Sequence, residues 1–178
     1  YHAEKFIDDV LEGRMVGGKK SKIAIGDPDD EITRLAKEYI EKEREALARR
    51  TKPMYDDAYG FDTKIDVSDF VEELNQTLAD KNVKGNYRKS LETIRDSFTD
   101  QNTNQLKDTT ELLHNTLKFD FRPMIESLTK ENQGTIKKQI SNIRGRLSNR
   151  IKEQNPYYEQ VTAIYDDALG TAQVLDRS

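Results

Sequence analysis

Apolar residues recur at helical spacing along most of this 178-residue chain. The clearest run is GTIKKQISNIRGRLSNRIKEQNPYY, residues 134–158. Ile136, Ile140, Ile143, Leu147 and Ile151 follow at steps of four, three, four and four, which places them on one stripe of an α-helix. Asn155-Pro156 predicts the stop, because proline lacks an N–H and pushes its predecessor out of the α region. Such a stripe is not stable alone in water, so other helices must cover it.

The rest of the chain supplies candidates. Residues 1–12 read as a short helix with Phe6, Ile7, Val10 and Leu11 inward, and Gly17, Gly18, Gly26 and Pro28 make 13–28 a flexible loop. From Asp29 a helix carries Ile32, Leu35, Ala36, Tyr39, Ile40, Ala46 and Leu47, with acid in its first turn. It should end near Lys52-Pro53, and Met54, Tyr55 and Ala58 predict a short second helix. After a linker at 60–66, helices are expected at 67–79 (Phe70, Val71, Leu74, Leu78) and 85–98 (Tyr87, Leu91, Ile94, Phe98). Leu106, Leu113 and Leu117 continue on a helix that Pro123 must kink or restart, followed by Met124, Ile125 and Leu128. A last helix at 157–175 holds Tyr158, Val161, Ile164, Tyr165, Ala168 and Leu175. No convincing β pattern is present.

The expected fold is all-α: an elongated, coiled-coil-like bundle of about six to eight helices. Residues 1–28 would close a preceding unit, and 29–178 would form the bundle. Two internal echoes suggest repetition. KPMYDDA (52–58) matches NPYYEQV (155–161) in placing a tyrosine two residues after proline, and residues 1–14 align with 165–178 through shared Tyr, Val and Leu. The chain begins at Tyr1 rather than Met, so it reads as a slice of a longer protein.

Composition narrows the function classes. Hydrophobic residues make up 34% and charged residues 35%, which suits helices with wide solvated faces. Net charge is −4, so no global positive field draws in nucleic acid or an anionic membrane. The absence of cysteine removes disulfides, thiolate nucleophiles and zinc–thiolate clusters, and fits a reducing compartment. No stretch approaches the ~18 consecutive apolar residues of a membrane span.

Candidate chemistry is sparse. Gly13, Gly18 and Lys19 approach a phosphate-binding loop, but Lys20 stands where Ser or Thr is needed and a helix precedes instead of a strand. In residues 100–111, Asp100, Asn102, Asn104, Asp108 and Glu111 fall at calcium-loop positions. Gln105 replaces the required glycine there, so a polar loop with Asn102 to Asn104 capping the next helix is preferred. His2 and His114 are the only histidines, and neither is grouped with a nucleophile and an orienting acid. His114 reads as a helix-surface or boundary residue. No catalytic, cofactor-binding or metal-ligating residue is therefore assigned. The helix at 134–154 carries Lys137, Lys138, Arg144, Arg146, Arg150 and Lys152 around its polar side, a distribution that favours pairing with acidic neighbours over tracking a phosphate backbone.

Residues 112–178 combine Lys118 and Ile125, then Ile143-Arg144 with Leu147, then Asn155-Pro156 with Tyr158, then Tyr165 with Leu175-Asp176. In this order they resemble a segment of very large phage and prophage proteins, the internal virion or DNA-ejection proteins and the related polyvalent proteins. FIDDVLEGR, residues 6–14, looks like the closing motif of a preceding unit. The sequence departs from the pattern at Pro123 and at Val161, where alanine is usual. The resemblance implies a non-enzymatic helical scaffold segment in the virion or bacterial cytoplasm, partnered by itself or other virion proteins. The alternative is a helical adaptor or surface module of a bacterial protein.

Overall fold

The computed structural model describes residues 28–177, with side chains from 30 to 168. The expected first helix, the Gly13–Lys20 loop, His2 and the echo at 1–14 lie outside the described residues. Elements run in the order α1 (Pro28–Gly60), α2 (Ser68–Leu78), α3 (Gly85–Ser97), β1 (Thr99–Asp100), β2 (Gln105–Leu106) and α4 (Thr110–Thr116). A π-helical turn (Leu117–Phe121), α5 (Arg122–Lys130), α6 (Gly134–Gln154) and α7 (Pro156–Arg177) follow. The fold class is all-α. The chain divides into two compact units, one spanning Tyr55–Glu159 and the other made from Tyr1–Met54 and Gln160–Ser178.

In the first of these, α6 is the central element. Its stripe is buried as the periodicity predicts, with Ile140, Leu147 and Ile151 fully enclosed and Ile143 nearly so. α3, α4, the π turn and α5 all pack on α6. They contribute Leu91, Ile94, Leu113, Leu117, Phe121 and Leu128 to one continuous core with Phe70, Leu74 and Leu78 of α2. Phe70 stacks on Phe98 at 5.8 Å, and Phe98 meets Phe121 edge-on at 6.3 Å. Between α2 and α3, Arg88 donates to the carbonyls of Val83, Leu78 and Asp80 at 2.7, 2.8 and 3.1 Å. The Leu78 bond satisfies a carbonyl that the end of α2 leaves open, and the other two hold the following loop to α3. Gly85 takes a φ of 62° there, a conformation in which any Cβ would be strained.

In the second unit, α1 buries Ala36, Ile40 and Leu47 on one face, while Leu35 stays 51% exposed. Arg34 pairs along the surface with Glu31 and Glu38. Beyond Gln160, α7 buries Val161 and Thr162 and leaves Ile164 exposed.

Of four local expectations, three are corrected and one is met. First, α1 does not stop at Pro53 to make way for a second short helix; it runs through Pro53 to Gly60. The carbonyl of Arg49, which would receive the missing N–H, lies at an exposed residue where water can satisfy it. Two residues earlier the Thr51 hydroxyl donates to the Leu47 carbonyl at 2.8 Å. Second, Pro123 restarts the helix as expected, standing in the first turn of α5. The preceding turn widens to π geometry, so that the Arg122 N–H reaches back to the carbonyl of Leu117. Third, Leu106 lies on no helix. Thr99 pairs with Leu106, and Asp100 with Gln105, in a two-residue antiparallel ladder that leaves Leu106 40% exposed. Fourth, the cap of α4 is Thr109, whose side chain accepts from the Leu112 N–H at 3.3 Å, and not Asn102 to Asn104.

Candidate functional site

The residues of the calcium-loop pattern do not converge. Asp100 accepts from the Asn102 N–H at 3.0 Å, and Asn104 closes the turn with a φ of 55°. Asp108 turns away to Lys64, 3.3 Å distant. Among the described residues, no three His, Cys, Asp or Glu side chains come together in a way that could hold a metal. Nor is any described helix long and apolar enough to cross a membrane.

The notable polar cluster of the Tyr55–Glu159 unit is built on His114 of α4. The chain leaves α6 at Asn155, a fully buried residue whose side-chain amide donates to the Ala58 carbonyl at 2.8 Å and to Thr110 Oγ1 at 2.9 Å. Its side-chain carbonyl accepts from the N–H groups of Tyr157 and Tyr158, both at 3.2 Å, and so caps α7. One residue thus ties the end of α1, the start of α4 and the start of α7. That tie brings Tyr55, Tyr158 and His114 together.

His114 Nδ1 lies 2.8 Å from the Tyr158 hydroxyl, a hydrogen bond. The Tyr55 ring covers His114 at 5.0 Å, Tyr158 meets it edge-on at 5.5 Å, and Tyr59 lies 6.1 Å away. Tyr55 and Tyr158 are the two tyrosines that follow proline by two residues in the internal echo, and here they face one another at 6.3 Å. His114 is a boundary residue in exposure, as expected. The sequence does not show that its ring is enclosed by tyrosines.

Burial and charge make this imidazole hard to protonate. Its pKa falls from 6.5 to about 4, first through burial and then through the positive charges of Lys118, Arg122 and Arg144. The ring is therefore neutral at pH 7. Tyr59 is pushed up to about 12 by burial and by Glu111 and Asp56, so its hydroxyl keeps its proton. Burial likewise raises the Asp120 carboxyl on the π turn. The arrangement holds a neutral histidine and a protonated Tyr59 in one packed group, with His114 hydrogen-bonded to Tyr158.

The basic residues of α6 part ways. Arg146 makes two bonds to Glu73 at 2.9 and 3.0 Å, and Arg150 makes two to Asp69 at 2.9 and 2.7 Å. Both guanidiniums lie over Phe70, at 5.4 and 4.9 Å from its ring centre. The Arg150 bond holds the Asp69 carboxyl below its usual range. Here the expected pairing with acidic neighbours is realised. Arg144 differs: its Nε is buried without a hydrogen-bond partner, and no carboxylate answers it among the described residues. Lys118 lies over Phe119, which is 63% exposed, and Arg122 has no ion-pair partner among the described residues. At 100° per residue, spacing sets Lys137 and Arg144 on one flank of the apolar stripe and Arg146 and Arg150 on the other, but it does not say which flank meets carboxylates. Comparison of the chain with protein-family models, curated proteins and solved structures returns no match.

Proposed function

We propose that this chain is a non-enzymatic helical module of a larger phage or prophage virion or DNA-ejection protein, acting through helix–helix contacts. The observation that carries the reading is the use to which its polar side chains are put. His114, Asn155, Arg146 and Arg150 all hold one helix to another, through the Tyr158 bond, the Ala58 and Thr110 bonds, and the Glu73 and Asp69 clamps. The resemblance of residues 112–178 to virion and ejection proteins supplies the context. Size-exclusion chromatography with light scattering tests the contact role: concentration-dependent self-association is expected, together with no turnover of peptidoglycan or nucleoside triphosphate. Turnover of either substrate overturns the reading.

A second reading, a helical adaptor or surface module, draws on a shallow hollow of α2 lined by Val71, Asn75 and Ala79 together with the exposed Leu106. It predicts a monomer at every concentration, and that L106S abolishes capture of its partner.

A further inference from the structure

Two aromatic rings of the Tyr55–Glu159 unit meet at its surface instead of in its core. Phe61, just past the end of α1, is 37% exposed, and Tyr157, in the first turn of α7, is 49% exposed. Their ring centres lie 5.4 Å apart, with the planes tilted at 59°. Asn155 fixes both. Its side-chain amide donates at 2.8 Å to the Ala58 carbonyl, which also accepts from the Phe61 N–H at 3.2 Å. Its side-chain carbonyl accepts from the Tyr157 N–H, again at 3.2 Å. Beyond Phe61 the Thr63 N–H donates to the Phe61 carbonyl at 2.9 Å, a tight turn with exposed Asp62 at its corner. The rings are therefore set in place before any partner arrives, and contact would cost little further ordering.

Elsewhere in this unit a phenylalanine ring carries a cation. Arg150 lies 4.9 Å from the Phe70 ring centre and makes two hydrogen bonds to Asp69, the residue next to that phenylalanine. Lys118 lies 5.3 Å from the Phe119 ring centre. Among the described residues no lysine or arginine lies over Phe61 or Tyr157, and the Asp62 carboxylate has no partner. Lys64, two residues on, is met by Asp108 at 3.3 Å. We propose that Phe61 and Tyr157, with Asp62 next to Phe61, form a docking site for an arginine side chain on a basic segment of a partner protein. The guanidinium lies on the rings and pairs with the carboxylate, as Arg150 does with Phe70 and Asp69. Charge complementarity selects this occupant. Aromatic faces are negative, Asp62 is unpaired, and a chain of net charge −4 draws a basic segment and repels a polyanion. This rests on the non-enzymatic contact reading above and names the chemistry of one partner.

The test uses the full chain and three fluorescent peptides of one sequence, whose central positions hold arginine, lysine or citrulline, the last keeping arginine's shape without its charge. Fluorescence anisotropy at low salt should show the arginine peptide binding most tightly and the citrulline peptide about ten-fold more weakly, with the gap narrowing as salt rises. Y157A should weaken the arginine peptide several-fold, whereas Y157F, which keeps the ring, should leave it bound. D62N spares both rings and should also weaken it several-fold. E126Q, at an exposed acid of α5, should change nothing. Positions 62 and 157 are exposed, so folding is not at issue. Arginine bound no more tightly than lysine or citrulline overturns the proposal. So does arginine binding unmoved by Y157A and D62N, or weakened as much by E126Q, which would mean diffuse attraction to an acidic surface. If Y157A instead abolishes self-association while no peptide binds, the rings belong to a second copy of this chain and the proposal falls. Failure of the peptides to bind leaves self-association and turnover to be read separately, so the two readings fail independently.

Discussion

Two flanks of α6 carry the same residue and reach opposite ends. On one, Arg146 and Arg150 lie over Phe70 and are each held by two hydrogen bonds to a carboxylate of α2. On the other, Arg144 presents a buried Nε with no acceptor, and its charge joins those of Lys118 and Arg122 in opposing protonation of His114. The difference lies in what stands opposite. The α2 face offers Asp69 and Glu73 at helical spacing, whereas no carboxylate pairs with Arg144 among the described residues. Helix periodicity places an arginine on a flank. The neighbouring helix decides whether it becomes a clamp or keeps a buried donor unpaired.

The largest way to break the paired flank is to remove its platform. Phe70 is 3% exposed, touches Phe98 and underlies both guanidiniums. F70A should cost about 3–5 kcal/mol in urea unfolding, through lost burial, the cavity left behind and two untethered arginines.

Next in size is an acid effect on the open flank. His114 binds its proton near pH 4 in the folded chain and near 6.5 when unfolded. Between those values the unfolded chain holds more protons, so the stability present above pH 6.5 is lost as the pH falls toward 4. The full separation corresponds to about 3 kcal/mol, and about 2 kcal/mol remains after allowance for the ring's partial exposure. Unfolding free energies measured across this window should fall accordingly, and H114Q should flatten the slope. A slope that survives H114Q would assign it elsewhere. The Asp66 and Asp69 carboxyls are held below their usual range by the Ser68 and Arg150 bonds, so their stabilising contribution is lost only at more acid pH.

The Arg150–Asp69 clamp itself should be worth less. A double-mutant cycle with R150M and D69N should return a coupling of about 1 kcal/mol, since both groups are partly in water. A coupling near zero would mean that stacking on Phe70, and not the ion pair, fixes Arg150.

The smallest effect sharpens the contrast most. R144M removes an unsatisfied buried donor and should change stability by less than about 0.5 kcal/mol, with a gain more expected than a loss. The same substitution should raise the His114 pKa, read from its ring resonances by NMR, whereas R146M should leave it where it is. If both variants move it equally, the division between the two flanks fails.

Much of the fold was legible in local pattern. The isoleucine stripe of α6 and its stop at Pro156 needed only residue spacing and the geometry of proline. The same is true of the helices around Phe70, Leu74 and Leu78 and around Leu91 and Ile94. Pro53 misled, because the cost of a missing N–H depends on what else can satisfy the backbone. At Pro53 the orphaned carbonyl belongs to an exposed residue and the helix continues, while before Pro123 a wider turn absorbs the fault. The candidate site was less legible. The echo of a tyrosine two residues after proline hinted at Tyr55 and Tyr158, but nothing in either stretch announces that both will face His114.

Periodicity is a property of neighbours along the chain, and it determined that this protein is helical, which faces are buried and where the central helix ends. Pairing is a property of residues far apart in sequence, as Arg146 and Glu73 are. Only the packed structure could decide which arginines find carboxylates and which keep a buried donor unpaired, and that His114 is held neutral among tyrosines.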